Sequence, residues 1–264
     1  MIARKGPAAL RLRSSAARIA VAALALVASG AGARAQPDSI RILAPHWEAY
    51  TEPNGNGYAW DVARAVYEPE GVHVRTVNVP YERAVERVQH GEADAWLASY
   101  PDEREGVVYP RWHFDDDQVV ALMPKSRASA WNGQQSLAGA EVAWVLGYRL
   151  GRYLDHPVDR AAGLTERDSA MTALADGRID YVLAVAYEIE NAWESLPAGI
   201  DRDDFAQKKL FTLKLKPGFA DTERGRALRD IWDRRLPEIR DDGTLARLYA
   251  RYHLEGWPFE APRH

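Results

Sequence analysis

A short unit occurs twice in this chain: an amphipathic helix, a glycine, and an aspartate followed at once by an apolar strand. The first copy reads GEADAWLA from Gly91, and the second reads GRIDYVLA from Gly177. Both copies have Gly, Asp, Leu and Ala at the same offsets, and they lie 86 residues apart (177 minus 91). In open α/β sheets, ligands bind beyond the carboxyl ends of the strands. The repeat therefore predicts two similar α/β lobes with a ligand between them.

The first half of the chain alternates strand and helix signals. Short apolar or alternating runs predict strands at 40–44, 72–79 and 93–98. Between these runs, apolar residues recur at helical spacing and predict helices at 58–68 and 81–90. The resulting order, β-α-β-α-β, predicts half of a parallel sheet.

Two later segments are predicted to cross between the lobes. The apolar segment 118–123 is expected to leave the first lobe as an extended strand, and the alternating segment 208–216 is expected to return to it. The mature chain therefore divides into a first lobe of residues 36–120 and 208–264 and a second lobe of residues 121–207.

The elements predicted inside the second lobe are short. They are strands at 141–146, 158–164 and 179–185, a helix that ends near Gly177, and a helix at 186–193. Asp168 or Ser169 is expected to cap the first of these helices. Helices at 222–239 and 245–254 close the chain in the first lobe.

Residues 1–35 have the composition of a cleaved secretory signal peptide. A basic segment with five Lys and Arg residues precedes the apolar run IAVAALALVA, and Ala33–Ala35 forms a small-x-small cleavage site before Gln36. The chain contains no cysteine, which excludes a lipid-anchor cysteine, disulfides and thiolate metal sites. The sequence thus predicts an exported, soluble, periplasmic protein that is not a lipoprotein.

Composition and charge argue against several other functions. Net charge is −4, and basic and acidic residues are mixed along the mature chain, so no nucleic-acid partner is expected. The histidines lack metal-ligand spacing, and the adjacent carboxylates of 115–117 cannot share one face of a strand. No metal and no cofactor are predicted.

Several local motifs, in their order, resemble the extracellular solute-binding proteins of family 3, the periplasmic receptors of polar amino-acid ABC importers. NGNGYAWDVARAV is similar to the family's nGxxxGfdvDlaxai segment, and YPDEREGVVYP to its TpeRxxxvxFS motif. SLAGAEVAWVLGYRLG is similar to the start of the family's second lobe, and DDGTLARLYARY to its closing helix. The likeness covers nearly all of the mature chain.

This resemblance implies both a fold and a function. The fold is the two-lobed periplasmic-binding-protein (type II) α/β fold, in which each lobe is a sheet flanked by helices and two hinge strands join the lobes. The function is capture of a small polar solute, an amino acid or related carboxylate, and delivery to an ABC transporter permease in the inner membrane. A monomer without enzymatic activity is expected.

The resemblance also places a carboxylate-binding arginine at Arg104. A guanidinium can hold a carboxylate through two parallel hydrogen bonds, whereas a loop arginine can equally be solvated. The chain departs from the family pattern at Val185, where the family has the aspartate that takes the ligand's ammonium, and at Tyr100, where it has threonine. The identity of the ligand is therefore left open.

The other candidate ligand contacts follow predicted strands. Trp47 and Tyr50 can stack on the ligand or cover the core of their lobe, and Ser99 and Tyr100 can offer hydroxyls or simply end a strand. The remaining candidates belong to the second lobe, where each has an ordinary structural alternative; they are Gly147, Arg149, Tyr187 and Glu188.

The two aspartates of the repeated unit are assigned a structural role. The repeated position of Asp94 and Asp180 before a strand indicates capping or turn hydrogen bonds rather than a site.

Two alternative functions remain. A dehydratase resembling the periplasmic cyclohexadienyl dehydratases is the alternative from the enzyme class, with Glu188 or Glu52 as general acid. A third possibility is a ligand-sensing or accessory protein for a signalling or dehydrogenase system.

Overall fold

The described strands all belong to the segment Pro37–His264. The computed structural model describes residues 1–2, 37–145, 148–159, 164, 166–254 and 256–259. The predicted signal peptide therefore lies almost wholly outside the described residues. In chain order, the described strands are β1 (Ser39–Ala44), β2 (His73–Asn78), β3 (Ala95–Ser99), β4 (Val107–Val108), β5 (Asp115–Pro124), β6 (Val142–Ala143), β7 (Tyr181–Val185) and β8 (Phe205–Ala220).

Helices flank these strands. The described α-helices are α1 (Tyr58–Tyr67), α2 (Tyr81–Gln89), α3 (Arg167–Ala175), α4 (Ala186–Ala192), α5 (Glu223–Asp241) and α6 (Thr244–Arg251). Short 3₁₀ segments connect them at Glu68–Glu70, Lys125–Ala130, Gly133–Leu137, Leu150–Tyr153, Trp193–Ser195 and Arg202–Asp204. None of the described helices has the length and apolarity needed to cross a membrane.

The strands pair in the order β2-β1-β3-β8-β5-β7-β6, and β4 also pairs with β8. β1 runs parallel to β2 and β3, as the β-α-β-α-β order predicts. β5 and β8 are antiparallel partners from Asp115–Leu215 to Pro124–Phe205, and they connect the two groups of strands. We call β1 to β4 with α1, α2, α5 and α6 the first lobe, and β6 and β7 with α3 and α4 the second lobe.

The helices form where apolar side chains can face the sheet. In α1, Tyr58, Trp60, Val62, Val66 and Tyr67 are buried, which gives that helix an almost continuous apolar face. Thr222 caps α5 by accepting a 3.0 Å hydrogen bond from the N–H of Gly225. The strand pair β3–β8 packs closely because Gly218 leaves room for a neighbouring ring. A Cβ at Gly218 would lie 2.1 Å from the indole of Trp96.

The two aspartates of the repeated unit have the same structural role in both lobes. Oδ2 of Asp94 accepts a hydrogen bond from the N–H of Arg41 in β1 at 2.8 Å. Oδ2 of Asp180 accepts one from the N–H of Glu141, next to β6, at 3.0 Å. Each carboxylate thus holds the start of its own strand against the neighbouring parallel strand. The role is structural, as predicted, but the hydrogen bonds run between strands and are not the expected capping or turn hydrogen bonds.

Several element boundaries differ from those predicted. The crossing strands are longer than expected, because β5 begins at Asp115 and β8 extends from Phe205 to Ala220 through their mutual pairing. α3 begins one residue before Asp168, and its N-cap residue is Glu166, so the predicted caps at Asp168 and Ser169 were wrong. The described part of segment 158–164 contains no strand. The lobe boundaries in the sequence stay a prediction.

Candidate functional site

A cavity of about 190 Å³ lies between the two lobes. Its walls follow the carboxyl ends of strands in both lobes, where α/β sheets place their ligands. The described residues that line it are Pro45, His46, Trp47, Tyr81, Ala98, Tyr100, Glu103, Asp117, Tyr148, Val185, Tyr187, Glu188 and Leu215. Aromatic rings and carboxyl groups dominate this wall.

Trp47 is held in the wall by a support that reaches the hinge strand β5. Its indole stacks on the ring of Tyr50 with a centroid distance of 3.7 Å and an interplanar angle of 5°. The hydroxyl of Tyr50 donates a 2.8 Å hydrogen bond to Oδ2 of Asp115. Because both contacts restrict rotation of the rings, the face of Trp47 has a defined orientation toward the cavity.

Three tyrosine hydroxyls of the cavity wall each donate to a carboxyl group of that wall. Tyr81 donates to Glu103 at 2.6 Å, and Tyr100 donates to Asp117 at 2.8 Å. The third of these hydrogen bonds runs from Tyr148 to Oε1 of Glu188. These pairs join segments that are distant in the sequence.

The three carboxyl groups differ in how fully they are satisfied. Oε2 of Glu103 also accepts from the Oγ of Ser99 at 3.1 Å and from the N–H of Tyr100 at 3.2 Å, and Oε1 lies 3.5 Å from Arg104. By contrast, Oε2 of Glu188 is buried without a hydrogen-bond partner among the described residues. Glu188 is therefore less fully satisfied by hydrogen bonds than Glu103.

Burial raises the pKa of all three carboxyl groups. It raises the pKa of the Glu188 carboxyl, although the hydrogen bond from Tyr148 and the charge of Arg167 partly oppose the shift. Burial also raises the pKa of Glu103, and it raises the pKa of Asp117 well above the usual range. Water removed from around a carboxylate no longer stabilises its charge, so each group binds its proton more tightly.

Contacts across the cavity join the lobes. The rings of Trp47 and Tyr187, one from each lobe, are in contact with a centroid distance of 6.1 Å, and both line the cavity. Arg152 of the second lobe donates to the carbonyl of Glu103 at 2.7 Å. The cavity is therefore enclosed by residues from both lobes.

The strand that carries Tyr100 ends in an irregular backbone. Ala98 has a φ of 69°, in the left-handed region that residues with a side chain rarely adopt. The pairing of β3 with β8 shifts register between Trp96 and Ser99. This irregularity accompanies the placement of Ala98 and Tyr100 in the cavity wall.

Arg104 does not line the cavity but lies behind two residues that do, Tyr81 and Glu103. Its guanidinium donates to Oε1 of Glu82 at 2.6 Å and lies over the ring of Tyr81, and its side chain is only 7% exposed. Arg104 and Arg149 line a separate surface depression, together with Arg152 and several glutamates. The contact of Arg104 with a ligand carboxylate therefore has no support from its position, and the same is true of Arg149.

The other predicted contacts fall into three groups. Trp47, Tyr100, Tyr187 and Glu188 line the cavity. Tyr50 and Ser99 lie behind the wall, where they support Trp47 and Glu103 respectively. Gly147 lies outside the described residues.

Asp117 and Glu103 are cavity residues that the sequence interpretation did not select. Asp117 stood in a run of three aspartates considered only as a metal site, yet on strand β5 it shares a face with Asp115 and not with Asp116. Asp115 and Asp117 are buried, whereas Asp116 pairs with Lys214. The available signal was that the three aspartates lead directly into an apolar strand, where alternate residues face the same side. Among the described residues, no group of His, Asp and Glu side chains is arranged to hold a metal ion.

The profile described as "Bacterial extracellular solute-binding proteins, family 3" matches residues 43–255. The chain belongs to this family. A search of curated proteins found no match. The match to the family 3 profile spans both lobes and both hinge strands, which agrees with the order of motifs in the sequence.

Solved structures show the same fold. EhuB in complex with hydroxyectoine aligns with a TM-score of 0.61 and 20% identity, covering 83% of this chain and 89% of that chain. AbpA, an amino acid ABC transporter substrate-binding protein from Streptococcus pneumoniae bound to L-arginine, aligns with a TM-score of 0.58 and 15% identity, covering 81% and 94%. The ancestral amino acid-binding protein AncCDT-1, a precursor of cyclohexadienyl dehydratase, aligns with a TM-score of 0.57 and 17% identity, covering 81% and 95%. This family 3 protein therefore has the two-lobed periplasmic-binding-protein type II fold.

Proposed function

We propose that the protein is a periplasmic receptor that captures a small polar solute in the cavity and delivers it to an ABC transporter permease in the inner membrane. The observation that carries this proposal is the cavity itself, walled by side chains of both lobes beside the hinge strands β5 and β8. Its volume of about 190 Å³ suits a solute rather than one water molecule, which needs only about 10–15 Å³.

Binding, rather than catalysis, accounts for this arrangement. A solute in the cavity contacts the wall residues of both lobes only while the lobes are closed around it. Such a solute binds the closed arrangement more tightly than the open one and shifts the population toward it. A permease that recognises the closed arrangement then receives loaded receptors, and β5 and β8 act as the hinge.

Several parts of this proposal rest on the sequence. The basic and apolar segments of residues 1–35 favour export, and the absence of cysteine favours a soluble receptor without a lipid anchor. A monomer of lobe residues 36–120 and 208–264, with 121–207 between them, is the proposed mature form. The solute classes considered first, an amino acid or a related carboxylate, depended on Arg104, which lies elsewhere.

A thermal-shift titration of the mature protein, residues 36–264, tests capture. A solute present at 100 times its dissociation constant adds about 2.7 kcal/mol to the free energy of unfolding. For a chain of this size, that raises the melting temperature by roughly 5–10 °C. Amino acids, amines, small carboxylates and neutral polyols form the panel.

Two tryptophan variants identify the site. Trp47→Leu is expected to abolish the shift, whereas Trp131→Leu, a half-buried ring that packs near Tyr181 outside the cavity, is expected to retain it. Equal loss in both variants would place binding elsewhere.

Delivery is tested by an uptake experiment. Uptake of the radiolabelled solute is measured in cells with the gene deleted and then restored as wild type or as Trp47→Leu.

A dehydratase is the second candidate, because Glu188 is a buried carboxyl with a raised pKa, as a general acid requires. Prephenate carries two carboxylates, and the described cavity wall presents three carboxyl groups and neither Arg nor Lys. Repulsion between these groups makes binding of prephenate less favourable than binding of a neutral or positive solute. Chromatography of prephenate incubated with the protein separates the two: phenylpyruvate formation that Glu188→Gln abolishes would establish the enzyme.

A further inference from the structure

We propose that the cavity selects a small organic cation, an ammonium compound without a carboxylate, and that Glu188 is its counter-charge. The inference rests on the proposed capture function and names the class of solute. It is carried by two independent features of the cavity, its ring-lined wall and the presence in that described wall of Glu188 and other carboxyl groups without Arg or Lys.

Aromatic rings from both lobes line the cavity. These rings are Trp47, Tyr81, Tyr100, Tyr148 and Tyr187. The face of an aromatic ring carries partial negative charge and attracts a cation, and desolvated sites strengthen this attraction. Methyl groups of a quaternary ammonium also pack against rings without leaving hydrogen-bond donors unsatisfied.

Glu188 supplies an acidic group beside these rings, and a bound cation favours the charged form of that group. Tyr148 donates to its Oε1, and its buried Oε2 has no partner among the described residues. A buried acceptor that a hydrogen bond does not fully satisfy costs free energy. An ammonium group bound at the wall beside this carboxyl offsets part of that cost, so the wall favours positive charge.

The other two carboxyl groups of the wall, Glu103 and Asp117, contribute to ligand binding in different ways. Glu103 is the one already paired with a guanidinium and three hydrogen-bond donors, so it adds little to a ligand's binding. Asp117 has Tyr100 as donor and senses the charge of Glu188, which is one cause of its raised pKa. Asp117 therefore adds to the negative potential of the cavity.

Positive groups near the cavity are few among the described residues. His46 is the single basic residue in the described wall, and its ring pairs with Glu52 at 3.0 Å. Arg167, which acts on Glu188, pairs with Asp168 at 2.9 Å. A ligand carboxylate would thus meet acidic groups and no free cation in the described wall, which is why the proposed solute lacks one.

Four probes of similar size test this selection by isothermal titration calorimetry. Choline and tetramethylammonium carry the cation, 3,3-dimethylbutan-1-ol is the uncharged carbon analogue of choline, and glycine betaine adds a carboxylate. We expect the neutral analogue to bind at least about tenfold more weakly than choline, because it lacks both the attraction to rings and the ion pair. Glycine betaine is expected to be weaker than choline as well.

A charge variant and its control locate the counter-ion. Glu188→Gln keeps the shape of the side chain and is expected to weaken choline by about thirtyfold while changing the neutral analogue by less than about twofold. Glu190→Gln is the control, since Glu190 lies on the same helix but pairs with Arg202 and Gln207 outside the cavity. If Glu188→Gln does not fold, Trp47→Leu with Trp131→Leu as control measures the ring contribution to choline affinity.

The outcomes separate this inference from the proposed function. Choline affinity that falls in Glu188→Gln and not in Glu190→Gln supports it. Equal binding of choline and its neutral analogue, or unchanged choline affinity in Glu188→Gln, overturns it. Binding of amino acids or carboxylates without any cation overturns the inference and keeps the receptor. Failure of every solute class to bind removes the proposed function as well.

Discussion

The hydroxyl of Tyr100 donates a 2.8 Å hydrogen bond to Oδ2 of Asp117, and this contact joins the end of β3 to the hinge strand β5. Both side chains are buried, with 5% and 7% of their surface exposed. The hydrogen bond therefore stabilises a carboxyl group that water reaches poorly, at the point where the first lobe meets the hinge.

Tyr100→Phe is predicted to lower the free energy of unfolding by about 1–3 kcal/mol, because Asp117 loses its donor while remaining buried. The loss should grow as the pH rises through the raised pKa of Asp117, since only the charged carboxylate bears the full desolvation cost. Urea unfolding across a series of pH values measures it. Tyr153→Phe, which removes a hydroxyl bonded to the carbonyl of Pro101 at 3.3 Å, is the control and should cost less. A loss that does not change with pH would contradict the assignment.

Asp115 makes stability depend on pH. Burial raises the pKa of Asp115 from 3.8 to about 7. Because the folded-state pKa is raised, the folded protein binds the proton more tightly than the unfolded chain. The stabilisation is then complete below about pH 4 and is lost as the pH rises through about 7.

Asp115→Asn is therefore predicted to flatten the stability profile between pH 4 and 7 and to raise the free energy of unfolding at pH 8 by roughly 2 kcal/mol. The amide can still accept from the N–H of Asp116 and donate to Tyr50. Asp116→Asn, which loses the 2.7 Å ion pair with Lys214, should give no gain. Denaturant unfolding from pH 4 to 8 measures both variants. Destabilisation of Asp115→Asn by the same amount at pH 5 and pH 8 would show that its charge is not the cause.

The order of elements was predictable because its signals are local. The spacing of Gly91 and Asp94 marks a helix end and a strand start wherever it occurs, and the structure repeats it at Gly177 and Asp180. The length of β5 was not predictable in this way. Its first residues are aspartates, which disfavour strands, and only pairing with β8 makes them extended.

The site was predictable where position after a strand decides it, as for Trp47, Tyr187 and Glu188. Other side chains depend on partners from distant segments. Arg104 follows the expected strand but turns toward Glu82 on α2, and nothing in its own loop indicates that direction. Asp117 becomes a cavity residue because Tyr100, 17 positions earlier, donates to it.

Arg104→Gln tests the position of that guanidinium. We predict that it changes solute affinity by less than about twofold and lowers the free energy of unfolding by about 1 kcal/mol, because its ion pair with Glu82 is largely exposed on one side. The thermal-shift titration that identifies a solute measures the first effect, and urea unfolding measures the second. A tenfold or larger loss of affinity would restore Arg104 as a ligand contact.

Gly57→Ala tests the support beneath Trp47. Gly57 has a φ of 125°, and a Cβ there would lie 2.2 Å from the backbone oxygen of Tyr50. Since neither backbone can move without shifting the loop, we predict a loss of about 3 kcal/mol or more in the free energy of unfolding and weaker solute binding through the displaced Tyr50–Trp47 stack.

Gly71→Ala is the matched control, because Gly71 also has a positive φ of 76° but no atom within 4 Å of the added Cβ. It should cost only the backbone strain, about 1–2 kcal/mol, and leave solute affinity unchanged. Unfolding by urea and the solute titration are run on both variants. If Gly57→Ala loses no more stability than Gly71→Ala and binds the solute normally, the close approach to Tyr50 does not set the orientation of Trp47.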